Sequence, residues 1–169
     1  GGGRVMALIV ENGTGMATAE SYVSVADAGT RHTNLGNTAW TGTDAVKEAA
    51  LRRATQFMLQ RYRGRWQGTR INSTQALDWP RSWVVVDGYA VDADIVPVDV
   101  ANACADLALK ALSETLNADL DRAVIREKVG PLETEYSAYS PERKRYPAID
   151  MALAPFLTGA GANARLVRG

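Results

Sequence analysis

The 169-residue chain has very few of the side chains that build metal centres, disulfides or thiol active sites. It contains one cysteine, Cys104, and one histidine, His32, which are far apart in the sequence. A structural metal site needs several ligands at defined spacing, so we expect no metal, and a single cysteine excludes an intrachain disulfide. Cys104 lies among alanines and a leucine, which favours a small buried side chain over a nucleophile.

Long apolar runs and nucleotide-binding motifs are also lacking. No run approaches the roughly 20 apolar residues that span a bilayer, so no membrane partner is expected. No glycine-rich loop ends in Gly-Lys-Ser or Gly-Lys-Thr, and alternating acids such as Asp92 and Asp94 are typical of a solvated face. We therefore predict that the protein is not an enzyme, has no catalytic residues and needs no cofactor.

Net charge is zero, but the charges are unevenly distributed along the chain. Residues 51–83 hold seven arginines against the single acid Asp78, whereas residues 84–121 hold eight acids against Lys110 alone. Such a dipolar chain could bind copies of itself through unlike surfaces, or could bind nucleic acid through its basic part alone.

Arginines and aromatic residues alternate within the basic stretch. Arginines neutralise phosphates and aromatic rings stack on unpaired bases, so this pattern is suited to single-stranded nucleic acid. The alternative is that the tryptophans anchor the core and the arginines pair with acids. The predicted surface, facing nucleic acid or a neighbouring subunit, consists of Arg61, Arg63, Arg65, Trp66 and Arg70, and is followed by Trp79, Arg81 and Trp83.

The spacing of apolar residues predicts a mainly α-helical protein. Ser24 and Thr43 are suitable N-caps, and Pro97 suits the first position of a helix. An Asp87-Gly88 turn between short apolar runs predicts a small hairpin. Helices are predicted over residues 24–35, 43–62, 97–116 and 146–157.

The remaining segments complete the predicted architecture. Residues 7–10 are interpreted as a short strand or an extended N-terminal arm, and residues 123–136 as a β-hairpin around Gly130-Pro131. We predict one domain over residues 6–158, a helical bundle with this small hairpin, followed by an extended C-terminal tail over residues 159–169. Residues 1–5 precede Met6, a candidate native start, and are left out of the fold prediction.

Eight segments, spread over nearly all of the chain from Met6, carry a family resemblance. They are residues 6–15, 21–26, 47–55, 75–81, 95–97, 126–132, 146–150 and 153–157. These segments resemble the phage proteins described as DnaT-like single-stranded-DNA-binding proteins. That description implies DNA binding, whereas the proteins themselves look like helical head-tail connectors of tailed bacteriophages.

The resemblance to connectors implies a structural adaptor in the virion neck, made in the bacterial host cytoplasm and involved in viral genome packaging. It implies a homo-oligomeric ring, a dodecamer through which phage DNA passes with at most non-specific contact. Expected partners are the portal protein and a tail-side neck or tail terminator protein. The composition of the tail suggests its portal-binding residues, which are Arg165, Leu166, Val167 and Arg168. The alternative function is single-stranded-DNA binding.

Overall fold

The computed structural model describes residues 7–116 and 146–159. Within them the helices are α1 (Val25–Leu35), α2 (Asp44–Tyr62), α3 (Val98–Ala111) and α4 (Pro147–Leu153), which a 3-10 turn (Ala154–Phe156) continues. There are two antiparallel pairs of short strands. In the first, β1 (Thr69–Arg70) pairs with β2 (Arg81–Ser82), and in the second, β3 (Val85–Val86) pairs with β4 (Tyr89–Ala90). The prediction of a mainly helical protein with small β-hairpin structure is confirmed. The hairpin predicted near residues 123–136 and the tail over residues 160–169 lie outside the described residues.

The first two helices begin where their capping residues predict. The Ser24 hydroxyl accepts the Asp27 N–H at 3.0 Å, and the Thr43 hydroxyl accepts the Val46 N–H at 3.2 Å. Each bond satisfies an amide that has no partner within its helix. Helix α1 ends at Leu35 and is capped by Gly36, whose φ of +76° is the left-handed conformation that glycine adopts without a steric penalty.

The bounds of α3 differ from the prediction at both ends. Pro97 is the N-cap residue, with φ −56° and ψ 143°, and the helix begins one residue later. At the other end the Leu112 and Ser113 N–H groups bond carbonyls three residues back, to Leu109 and Lys110. This tightening of the last turn ends α3 at Ala111, before the predicted limit at Leu116.

The core forms mainly between α2 and α3, where small side chains allow close approach of the helices. Ala50, Ala54 and Ala108 are fully buried, as the predicted apolar faces require. Val46 is an exception, because it lies in the first turn of α2 and is 47% exposed. Among the described residues, none of the helices has the length and apolar character that crossing a bilayer requires.

The N-terminal segment is packed against the domain and is not a free arm. Residues 7–10 were interpreted as a short strand or an extended arm. In the structure Val10 forms a single isolated β-bridge with Ser21 instead of a strand. The buried Glu11 carboxylate accepts the N–H groups of Gly13, Gly15 and Met16 at 2.8–2.9 Å. A Cβ atom at Gly13 would collide with the carbonyl of Asp94, so this tight loop is seated on the chain that precedes α3.

Candidate nucleic-acid interface

The basic loop, residues 63–70, leaves α2 and lies beside the aromatic hairpin, residues 83–90. Thr69 faces Ser82 in the β1–β2 register, and the Gln67 side chain both donates to the Val85 carbonyl and accepts the Val85 N–H, each at 3.1 Å. On its other side the loop bonds the end of α4, with the Gln67 N–H donating to the Phe156 carbonyl at 2.9 Å. The basic loop and the aromatic hairpin are therefore joined into one surface.

Arg61 links helix α2 to helix α4 through an ion pair. Its guanidinium group forms a two-pronged ion pair with Asp150 of α4, at 3.0 and 2.8 Å, and the Tyr62 hydroxyl donates to the same carboxylate at 2.5 Å. Partial burial alone would raise the pKa of Asp150, but these hydrogen bonds hold that pKa below its usual value. Arg61 therefore stabilises the α2–α4 contact, and its charge is already neutralised.

Arg63 and Arg65 present their charges to solvent. The Arg63 side chain is 54% exposed, with its Nε 3.5 Å from a carboxylate oxygen of Asp78. Arg65 is also exposed, and its guanidinium carbon lies 5.7 Å from the centre of the Tyr62 ring. Among the described residues no carboxylate lies within 4.0 Å of the Arg65 guanidinium group. These two predicted site residues therefore present guanidinium groups that a phosphate in solvent can approach.

Trp66 does not have the exposed position that base stacking requires. Its ring is only 4% exposed, its indole N–H donates to Asp78 at 3.0 Å, and it meets the Trp79 ring edge-on at 5.3 Å. Trp79 in turn packs edge-on against Phe156 at 5.7 Å between ring centres. The alternative interpretation of Trp66 as a core anchor is the correct one, since the aromatic cluster joins the basic loop to α4.

Arg70 and Arg81 shape the surface more than they add charge to it. Arg70 is half-buried and donates to the Gln75 carbonyl at 3.1 Å. Arg81 donates to the carbonyls of Gln67, Gly68 and Asp78, and burial lowers its pKa. Burial likewise raises the pKa of the Asp78 carboxyl group, although the Trp66 hydrogen bond and the nearby arginines oppose this effect.

Two exposed aromatic residues lie on the aromatic hairpin. Trp83 was named in the wider pattern of arginines and aromatic residues but not assigned to the predicted surface, and Tyr89 was not singled out. Trp83 is 83% exposed and Tyr89 is 77% exposed, although both are large side chains that usually avoid water. Trp83 stands at the end of the basic stretch, but its sequence context resembles that of the buried Trp66. The only signal for exposure is the predicted hairpin itself, since a two-stranded pair has a face that the core does not cover.

The predicted portal-binding residues, Arg165, Leu166, Val167 and Arg168, lie outside the described residues. Within residues 7–116 and 146–159, no group of three or more His, Cys, Asp or Glu side chains is placed to hold a metal ion. The basic loop and the aromatic hairpin thus provide the clearest candidate site in the described part of the chain.

A family model described as "Putative DnaT-like ssDNA binding protein" matches residues 6–169. The chain belongs to this family. The predicted family resemblance is therefore confirmed over the whole length from Met6. No curated protein and no solved structure matches the chain.

Membership of the DnaT-like family corrects the predicted function. The head-tail adaptor prediction is wrong, because the matched family is described by single-stranded-DNA binding, which was the alternative. The bacteriophage neck, portal binding and ring assembly that accompanied the adaptor prediction have no support from the match. Of the predicted partners, contact with DNA is the one that the family description favours.

Proposed function

We propose that the protein is a non-enzymatic single-stranded-DNA-binding protein that holds DNA on the surface formed by the basic loop and the aromatic hairpin. The description of its family supports this function. The observation that carries the proposal is the direct hydrogen bonding between a loop with two solvent-facing guanidinium groups and a hairpin with two exposed aromatic rings. Phosphate neutralisation combined with ring stacking is the usual way to bind unpaired strands.

The local charge favours an anionic ligand in spite of the zero net charge. Residues 61–77 contain four arginines and no acid; Arg61 forms a two-pronged ion pair with Asp150, and Arg63 forms a longer one, at 3.5 Å, with Asp78. The carboxylate of Asp78 lies 2% exposed beneath the surface, where it offsets part of the charge of Arg63. We infer that binding is weak at physiological salt and strengthens as the salt concentration falls, because few phosphates are neutralised.

The helices give this surface a rigid base. We infer that α1–α4 pack as a small bundle, in which α4 is fixed to α2 by Asp150 and to the basic loop by the aromatic cluster of Trp66, Trp79 and Phe156. Binding then requires little ordering of the basic loop, since its backbone is already hydrogen-bonded on both sides.

Fluorescence anisotropy of a labelled oligo(dT) measures the proposed activity over a range of salt concentrations. The double variant Arg63→Gln/Arg65→Gln should bind about tenfold more weakly at low salt, and its dependence of log K on log salt should be shallower by about 1.4. The control Lys47→Gln/Lys110→Gln removes the same charge from α2 and α3, away from this surface, and should bind nearly as the wild type does. Absence of wild-type binding at low salt, or equal losses in both double variants, would contradict the proposal.

A further inference from the structure

We propose that Trp83 is the residue that stacks on an unpaired base, and that it takes the role for which sequence alone selected Trp66. This inference rests on the proposed single-stranded-DNA-binding function and identifies the group that distinguishes an unpaired strand from a duplex. Three features of Trp83 carry it, namely its exposure, its backbone conformation and its position beside the basic loop.

Trp83 is exposed while the other three tryptophans of the chain are buried. It retains 83% exposure, against 8% for Trp40, 4% for Trp66 and 0% for Trp79. An indole ring left in water forgoes the hydrophobic stabilisation that the other three obtain, so the ring contributes little to folding. An exposed ring of this size is a suitable platform for a flat, apolar ligand.

The backbone at Trp83 lies in the left-handed region, with φ +69°. Among the described residues, Asp87 is the only other non-glycine with positive φ, and it belongs to the Asp87-Gly88 turn, where such angles are usual. A bulky aromatic residue in this region is a genuine outlier. Its neighbours hold it there, because Ser82 pairs with Thr69 and the buried Val84 accepts the Val91 N–H at 2.8 Å. A strained position maintained on both sides favours a functional role for the side chain it carries.

The position of Trp83 also selects the class of ligand. A Cβ atom at Gly68 would collide with the carbonyl of Ser82, so the basic loop presses directly against the residue that precedes Trp83. Arg63 and Arg65 precede Gly68 on the same loop, and their guanidinium groups face solvent. A base on the Trp83 ring would therefore lie on the hairpin that is hydrogen-bonded to the loop carrying these cationic groups, along which its flanking phosphates could run. Bases in a duplex have both faces already stacked, so this arrangement favours an unpaired strand.

The distribution of tryptophans provides a direct test by intrinsic fluorescence. Because the other three indoles are buried, quenching on addition of oligo(dT) reports on Trp83. We expect strong quenching in the wild type, and almost none in Trp83→Phe, which should still bind because phenylalanine also stacks. By anisotropy, Trp83→Ala should bind oligo(dT) about 5- to 150-fold more weakly, the range expected for loss of one stacked base.

Two controls separate stacking from a general effect of the substitution. Leu35→Ala removes an apolar side chain that is 57% exposed on α1, and it should leave binding unchanged. An abasic oligonucleotide keeps the phosphates without the bases, so it should bind wild type and Trp83→Ala equally. If Trp83→Ala is poorly folded by circular dichroism, the quenching of the wild type and the binding of Trp83→Phe still decide the question.

The outcomes distinguish this inference from the proposed function. Binding of oligo(dT) by the wild type without tryptophan quenching, or with undiminished affinity in Trp83→Ala, would refute stacking by Trp83 and leave the single-stranded-DNA-binding function standing. Absence of any anisotropy change in the wild type at low salt would instead refute the proposed function.

Discussion

Glycine at position 83 should give a more stable protein than alanine, which is the reverse of the usual order. Both substitutions remove the same indole ring, so the few contacts of that ring cancel in the comparison. The left-handed conformation at φ +69° costs a residue with a Cβ atom about 1–2 kcal/mol, and glycine escapes this cost. Glycine loses about 0.5–1 kcal/mol more conformational free energy on folding. At the midpoints of these two ranges the balance favours Trp83→Gly by about 0.75 kcal/mol.

Thermal unfolding followed by circular dichroism tests this order. For a protein of this size the difference corresponds to a melting temperature about 1–4 °C higher for Trp83→Gly than for Trp83→Ala. Gln56, which is exposed in α2, supplies the control, because there glycine should be less stable than alanine by about 1 kcal/mol. A Trp83→Ala variant that melts as high as Trp83→Gly would show that the backbone at Trp83 carries no strain. The left-handed conformation would then no longer favour a base-stacking role for Trp83.

Three further predictions concern buried or paired groups. Arg61→Ala should lower the melting temperature at neutral pH, and the difference should shrink as the pH falls below about 4, because the depressed pKa of Asp150 makes this stabilisation a property of its ionised form. Asp78→Asn should strengthen oligo(dT) binding several-fold by anisotropy without lowering the melting temperature, since burial already disfavours the charged carboxyl group. Cys104 should react with a thiol reagent only at the rate of unfolding, measured by absorbance, because burial raises the pKa of its thiol and encloses it.

Features governed by neighbouring residues could be predicted from the sequence. Ser24 and Thr43 cap their helices because the bond that each forms spans only three residues. The turn at Asp87-Gly88 is likewise a property of the two residues that form it. The strand pair β1–β2 was missed because each strand has only two residues, too few for an alternating pattern.

The candidate site could be predicted only in part, because burial of an aromatic residue depends on distant contacts. Trp66 packs on Trp79, which in turn packs on Phe156, 77 positions further along the chain, and no local sequence pattern predicts those contacts. Trp83 is exposed because its backbone turns into the left-handed region between two paired residues. The arginines of the basic loop could be identified from the sequence, but which tryptophan faces solvent could not.

The loop closed by Glu11 has a consequence for the order in which the chain can fold during synthesis. Its contacts include the Ala76 N–H, which donates to the Met16 carbonyl at 2.9 Å, and the Asp94 carbonyl against Gly13. The ribosome adds about 5–20 residues per second, so Asp94 is made about 4–16 s after Gly13. Over that interval residues 11–16 emerge without the chain on which they are seated. Residues 11–16 can therefore reach these native contacts only after Asp94 has been synthesised.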